Sequence, residues 1–298
     1  MARPFLLISA PAKINLYLGV HPGKEEDGYH RVDTVMTTID LTDTVEIAPA
    51  DELFVRVTPA QDFPMEQNTA YRAARAMGDA FGRQANFTIL IDKHIPVRAG
   101  LGGPSTDAAA VILGIAHLWD LDPLDPRIEQ VAQGIGADVP FFLHGSIAWL
   151  AQRGDTLQEL FAPLTATPVA LVRPPGEAGV TSQEAYAAFD KNPTAPADLG
   201  QMLQALRAHD EASIMQAVAN NLAPAAAEVL PSIAQVLSWM RAQPGVRAAD
   251  VCGSGSTVFA ICKTQRDAEA MVSAAQNEHG WWAKVAKMEK TGPVILHG

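Results

Sequence analysis

Cysteine is scarce in this chain: its 298 residues hold two, Cys252 and Cys262. Two thiols cannot build a disulfide framework, and their spacing is not that of a zinc site. That fits a reducing cytoplasm, where localisation is expected, with both thiols packed inside. Positive charge is also in short supply. Lys and Arg number 22 against 33 Asp and Glu, a formal charge of −11, and no Lys/Arg block interrupts the acidic excess. Phosphate backbones need clustered cations, so no nucleic-acid partner is expected. An acidic protein can still bind a phosphorylated small molecule through a few local donors.

Long apolar runs are missing as well. Nothing approaches the roughly 20 residues of a membrane span, and no membrane association is expected. The opening Met1-Ala2-Arg3-Pro4-Phe5-Leu6-Leu7-Ile8-Ser9-Ala10-Pro11-Ala12 has the outline of a signal peptide. Its apolar core runs only from Phe5 to Ile8, however, against about 7–15 residues in an h-region, so a first strand is the expectation. The eight histidines form no H-x-x-x-H or comparable metal cluster, leaving metal ligands unassigned, and no G-x-S-x-G marks a serine nucleophile.

What is present describes a globular protein, 48% hydrophobic and 18% charged, long enough for two ordinary domains or one large one. Phe5 to Val20 reads as two extended pieces joined at Ala10-Pro11-Ala12. In the second, Ile14, Leu16, Leu18 and Val20 alternate with Lys13, Asn15 and Tyr17, which puts Lys13 and Asn15 on one face. Strand is expected from Thr34 to Ile47, helix from Thr69 to Phe81, and strand again over Phe87-Ile89-Ile91. A strand, a glycine loop and a helix follow Pro96, with Ala108, Val111, Ile112, Ile115 and Leu118 at helical spacing. Leu124–Gln133 predicts a short helix, a second helix begins near Asp138, and Ile147–Leu150 is strand-like. The proline-rich stretch from Leu160 to Pro175 marks a boundary, dividing the chain into 1–162 and 163–298. Beyond it come helices over Gln183–Phe189, Leu199–His209, Glu211–Asn220 and Ile233–Arg241. Strands within Ala248–Cys262 and Trp281–Ala286 flank a helix from Arg266 to Gln276. The fold class is α+β in two lobes.

Five constellations can carry chemistry. Pro96-Val97-Arg98-Ala99-Gly100-Leu101-Gly102-Gly103-Pro104-Ser105-Thr106-Asp107-Ala108-Ala109 joins glycines to a helix start. There, backbone N–H groups can approach an anion and the helix dipole favours negative charge. The segment is neither a Walker loop nor a G-x-G-x-x-G fingerprint. A tight turn capped by Ser105 explains the glycines equally well. Gly253-Ser254-Gly255-Ser256-Thr257 is either a hairpin turn or a close-packing surface for that loop. Asp138, in Gly134-Ile135-Gly136-Ala137-Asp138-Val139-Pro140-Phe141-Phe142, is either a helix cap or a carboxylate that orients and deprotonates a hydroxyl. Lys13 is either solvated or placed to hold Asp138 ionised. Asp27-Gly28-Tyr29-His30 is either a turn with exposed side chains or a stacking face and hydrogen-bonding edge for a planar ligand.

Taken in order, Pro11-Ala12-Lys13-Ile14-Asn15-Leu16, the loop Pro96–Ala109 and Gly253-Ser254-Gly255 resemble the three signature regions of the GHMP kinases, the superfamily of galactokinase, homoserine kinase and mevalonate kinase. Asp27-Gly28-Tyr29-His30 and Gly136–Phe142 resemble the branch that acts on a cytidine diphosphate-linked methylerythritol, on the non-mevalonate route to isoprenoid precursors. The resemblance implies a ribosomal-protein-S5-like N-terminal lobe and a ferredoxin-like C-terminal lobe with the site between them. It implies transfer of the ATP γ-phosphate to a hydroxyl of the methylerythritol moiety, with magnesium, by a monomer or homodimer.

By position, the resemblance makes Lys13 and Asp138 catalytic. It assigns ATP to Asn68, Pro96, Val97, Arg98, Ala99, Gly100, Leu101, Gly102, Gly103, Pro104, Ser105 and Thr106, and Lys93, near the loop in sequence, is expected beside them. It assigns the acceptor to Asn15, Tyr29, His30, Tyr186, Gly253, Ser254 and Gly255, with Tyr29, His30 and Tyr186 around the cytosine. The chain departs from the family loop, which reads glycine where Arg98, Ala99 and Pro104 stand. Pro104 removes one N–H donor, and Arg98 offers charge in its place. Two other readings remain at this point. One is a GHMP kinase of the homoserine or mevalonate type, and the other is a catalytically silent relative that binds nucleotide.

Overall fold

The structure, a computed structural model, describes residues 5–60, 63–164, 166–176 and 179–298. Residues 1–4, the start of the signal-peptide-like stretch, lie outside the described residues. The two expected extended pieces are one strand, β1 (Leu6–Val20). The break foreseen at Ala10-Pro11-Ala12 survives as a bulge. Register against β2 (Val32–Pro49) shifts between Pro11 and Ala12, where proline has no N–H for the ladder, and again between Asn15 and Tyr17.

Strand β3 (Phe54–Thr58), helix α1 (Thr69–Phe81) and strand β4 (Phe87–Asp92) come next, with β3 and β4 parallel. Helix α2 (Gly103–Leu118) lies on this sheet through the Ala108, Val111, Ile112 and Ile115 stripe, all fully buried. Helices α3 (Pro126–Ile135) and α4 (Val139–His144) lead to strands β5 (Ile147–Ala151) and β6 (Thr156–Phe161). The 18 residues of β2 are long enough to serve two partners on the edge away from β1, β5 through Thr34–Thr37 and β4 through Thr44–Pro49.

The second sheet begins with β7 (Pro168–Arg173), just beyond β6. Helices α5 (Ser182–Phe189), α6 (Leu199–Ala208) and α7 (Glu211–Gln216) follow it. The helix expected to reach Asn220 stops early, because Ala219–Asn220 form a short strand, β8, parallel to the end of β1. After α8 (Ala223–Val229) and α9 (Ser232–Arg241) come β9 (Val246–Val251), β10 (Val258–Cys262), α10 (Gln265–His279) and β11 (Trp282–Lys287). The antiparallel order β11-β7-β10-β9, with helices between β7 and β9 and between β10 and β11, is the ferredoxin-like β-α-β-β-α-β arrangement. The last strand, β12 (Val294–His297), returns to the first sheet and pairs with β1.

Alternation along β7 and β10 divides their side chains between two cores. Ala170, Val172, Val258 and Ala260 pack with Met271, Val272 and Ala275 of α10. Val169, Leu171, Phe259 and Ile261 pack with Ile14, Leu16, Val35 and Ile39 of β1 and β2. The lobes therefore share a core through β1, which is why its residues are buried without interruption from Ala10 to Val20. Both cysteines are buried, and burial pushes the Cys252 thiol up to about 12 and the Cys262 thiol to about 11.

Candidate active site

A cleft of about 1090 Å³ takes in Lys13, Asn15, Asp138, the glycine-rich loop and the second glycine segment. Lys13 and Asn15 do share a face of β1. Lys13 Nζ donates to Asn15 Oδ1 at 2.7 Å, Asn15 Nδ2 donates to Thr34 Oγ1 at 2.9 Å, and that hydroxyl donates to the Tyr17 carbonyl at 2.9 Å. This chain fixes the ammonium, which is almost wholly buried and stands 3.6 Å from Asp138 Oδ2. Asp138 occupies the start of α4 with helical dihedrals, and its side chain caps no backbone N–H. Its carboxylate is thus available to Lys13 on one side and to the cleft on the other.

The glycine-rich loop owes its shape to two left-handed glycines, Gly100 at φ 75° and Gly102 at φ 76°. The Lys13 N–H donates to the Leu101 carbonyl at 3.0 Å, and the Thr257 N–H donates to the Ala99 carbonyl at 3.2 Å. A β-carbon on Gly100 would collide with the carbonyl oxygen of Cys252. The turn at 253–257 is thus both a β9–β10 connection and the surface on which the loop packs. Asn220 holds that surface, its Nδ2 donating to the carbonyls of Val251 at 2.9 Å and Gly253 at 2.8 Å. Gly102, rather than Ser105, is the N-cap of α2, and Pro104 falls in the first helical turn, where an N–H has no intrahelical partner. Arg98 adopts φ 51°, a left-handed conformation at a position where the family pattern reads glycine.

Several residues assigned to ATP or acceptor from the sequence do not line the cleft. Lys93 is enclosed between two buried carboxylates, Asp43 and, at 2.6 Å, Asp107 Oδ2. Asp43 Oδ1 also accepts the N–H groups of His94 and Ile95, so this triad ties the segment before the loop to the second turn of α2. Burial pushes the Asp107 carboxyl up to about 7 against the opposing pull of Lys93. Asn68 caps α1 by accepting from the Ala70 N–H. Val97 points outward, Thr106 is fully buried and Gly255 packs toward Ile233. The remaining assigned residues line the cleft, joined by Arg72, Gln133, Arg153, Thr181 and Ser182, which sequence reasoning did not single out.

Away from Lys13, the cleft wall is built from the β1–β2 loop and α5. Asp27 Oδ1 accepts from the Tyr29 N–H at 3.0 Å, the turn expected of Asp-Gly, and Tyr29 is exposed with the Arg153 guanidinium 5.3 Å from its ring. His30 is buried. Its ring stacks on Tyr186 at 5.6 Å and 22° and meets Phe189 edge-on. Burial, and then the charge of Asp138, push the Tyr186 hydroxyl up to about 12. Tyr186 therefore feels both ends of the site. Among the described residues no group of three or more His, Cys, Asp or Glu is arranged to hold a metal, and no helix is long and apolar enough to cross a membrane.

This two-lobed fold, with a glycine-rich loop facing a Lys–Asp pair, is that of a small-molecule kinase. The model of the GHMP kinases N terminal domain matches residues 68–146, and that of the GHMP kinases C terminal matches residues 202–280. The chain belongs to the GHMP kinase family, whose members are ATP-dependent small-molecule kinases. It is 37% identical to the 4-diphosphocytidyl-2-C-methyl-D-erythritol kinase of Bacillus pumilus over 86% of this chain and 88% of that protein. It is 38% identical to the enzyme of the same name from Pelotomaculum thermopropionicum, over 85% and 87%. A crystal structure of 4-(cytidine 5'-diphospho)-2C-methyl-D-erythritol kinase superposes with a TM-score of 0.73 and 32% identity, covering 94% of this chain and 99% of that one. Homoserine kinase from Cytophaga hutchinsonii superposes with a TM-score of 0.74 at 19% identity, a likeness of fold alone.

Proposed function

We propose that this chain transfers the γ-phosphate of ATP to the 2-hydroxyl of 4-diphosphocytidyl-2-C-methyl-D-erythritol, giving the 2-phosphate and ADP in the non-mevalonate route to isoprenoid precursors. The observation that carries this reading is the Lys13–Asp138 pair, 3.6 Å apart in the cleft that the glycine-rich loop lines. The names of the relatives at 37% and 38% identity supply the acceptor.

In this reading the loop N–H groups and the start of α2 hold the ATP phosphates. Asp138 accepts the hydroxyl proton as the new O–P bond forms and the bond from the γ-phosphorus to the ADP oxygen breaks. Lys13, fixed by Asn15, offsets the charge that develops. The residues present suit magnesium carried on ATP rather than a protein-made cage. Among the described residues no three-carboxylate cluster exists, while the Asp138 carboxylate and the Ser105 hydroxyl are oxygen donors in the cleft. Bound there, the ion would neutralise phosphate charge. Tyr29, His30 and Tyr186 receive the cytosine. The protein acts in the cytoplasm as a monomer or homodimer, on a division of lobes at 162/163.

ADP release measured side by side with cytidine diphosphate methylerythritol, homoserine and mevalonate tests the proposal. Turnover of the first alone is the expected result. Turnover of another acceptor would replace the substrate. ATP binding without turnover of any of the three would overturn the enzyme reading.

A further inference from the structure

Helix α5 and its C-cap present Tyr186, Phe189 and Asp190, at spacings of three and four, on one face. All three engage His30, which comes from the other lobe. His30 Nδ1 lies 3.0 Å from the His21 carbonyl, a group that only accepts, so this nitrogen donates. His30 Nε2 lies 2.8 Å from Asp190 Oδ1, while Lys24 Nζ lies 2.9 Å from Asp190 Oδ2. The Lys24 bond, and to a lesser degree the His30 bond, hold the Asp190 carboxyl below the usual carboxylate range. It stays ionised and accepts from Lys24; since both ring nitrogens of His30 face acceptors, the doubly protonated ring is the form that donates to the His21 carbonyl and to Asp190 together. The His30 ring is thereby fixed in every degree of freedom: one nitrogen to its own loop, the other to Asp190, one face to Tyr186 and an edge contact to Phe189. His30, Tyr186, Lys24 and Tyr29 line the cleft, whereas Asp190 stands behind them.

We propose that Asp190 is a positioning residue for acceptor recognition. By gripping His30 Nε2 it sets the ring plane of His30 against Tyr186, and so the wall on which the pyrimidine of a cytidine diphosphate acceptor is seated. This inference rests on the acceptor named in the proposed function. Phosphoryl transfer takes place at the Lys13–Asp138 end, so loss of the Asp190 grip weakens acceptor binding without touching the chemical step.

The test is steady-state kinetics of Asp190→Ala and Asp190→Asn with cytidine diphosphate methylerythritol and ATP varied in turn. Removing one charge-assisted bond predicts a rise in acceptor KM of about tenfold for Asp190→Ala, with kcat and the ATP KM held within about twofold. Asp190→Asn keeps an oxygen for His30 Nε2 and should recover most of the loss. Folding is followed by melting temperature, and if the Ala variant is unstable Asp190→Ser, too short to reach His30 Nε2 but polar at this partly exposed position, carries the same expectation of a raised acceptor KM. An unchanged acceptor KM overturns the inference, as does a parallel loss in kcat and both KM values, the mark of a merely structural latch. A wild-type enzyme that binds ATP but does not turn over this acceptor overturns the proposed function instead.

Discussion

Lys13 Nζ donates to Asn15 Oδ1 at 2.7 Å and faces Asp138 Oδ2 at 3.6 Å, so one buried ammonium joins a strand of the first sheet to the start of α4. Its backbone N–H separately holds the Leu101 carbonyl. Side-chain and main-chain roles at residue 13 are therefore separable. Asp138→Asn should lower kcat by about 10²–10⁴, the usual range for a positioned proton acceptor, while the ATP dissociation constant stays within a few-fold. Lys13→Met should behave in the same sense, since the loop keeps its bond to the Lys13 N–H. Steady-state rates with a separate nucleotide titration check both. A near-normal kcat for Asp138→Asn would reduce that residue to a helix terminus.

Gly100 is a different kind of requirement. It combines φ 75° with a direction in which any β-carbon meets the Cys252 carbonyl. Gly23, at φ 85°, has nothing within 4 Å of that direction and isolates the dihedral effect. Gly23→Ala should cost about 1 kcal/mol from the left-handed backbone alone. Gly100→Ala should cost more than about 2 kcal/mol and weaken ATP binding, because the loop must move away from the second glycine segment. Thermal melts and ATP titration of the two variants provide the comparison. Equal losses would remove the packing argument.

How far the residues themselves announced this arrangement differs from one to the next. The α2 stripe and the Lys13–Asn15 face followed from periodicity, because helical and extended repeats depend on local geometry, and the α1 limits followed from its helix-favouring Ala, Arg and Met. Helix α8 and strands β3, β6, β8 and β12 did not, being short pieces whose pairing is decided by distant partners. Strand β8 exists because Asn220 ties β1 to the β9–β10 turn, across contacts of more than 30 residues. The Lys13–Asp138 pair could be suspected but not measured from sequence. The enclosure of Lys93 was not legible either, since its carboxylate partners lie 50 and 14 residues away. The one signal for Asp190 was its position four residues after Tyr186.

Lys93 supplies the third prediction. Its ammonium is the shared partner of Asp43 and Asp107, all three being nearly inaccessible. Lys93→Met would leave two buried carboxylates facing each other, a change that costs about 3–5 kcal/mol. Adding Asp107→Asn should restore part of the loss, because Asp43 keeps the His94 and Ile95 N–H groups. Melting temperatures of the single and double variants decide the matter. A Lys93→Met protein of normal stability with a raised ATP KM would return this lysine to the nucleotide site.

Asp250 gives a pH dependence with a definite sign. It lies on β9, buried, with Val251 N–H donating to its Oδ1 at 2.7 Å and Arg241 at 3.8 Å from its Oδ2. Burial outweighs both and pushes the carboxyl up from its ordinary 3.8 to about 6. A carboxyl whose pKa rises on folding binds its proton more tightly in the native state. Its contribution to stability is therefore complete below pH 3.8 and lost as pH climbs through about 6. The ionised form costs up to about 3 kcal/mol above that window. Asp250→Asn keeps an acceptor for Val251 and removes the charge. The variant should melt above the wild type at pH 8, with the gap closing as pH falls through 6 toward 5. A gap of constant size across that range would mean that Asp250 does not titrate there, and that Arg241 holds it ionised after all.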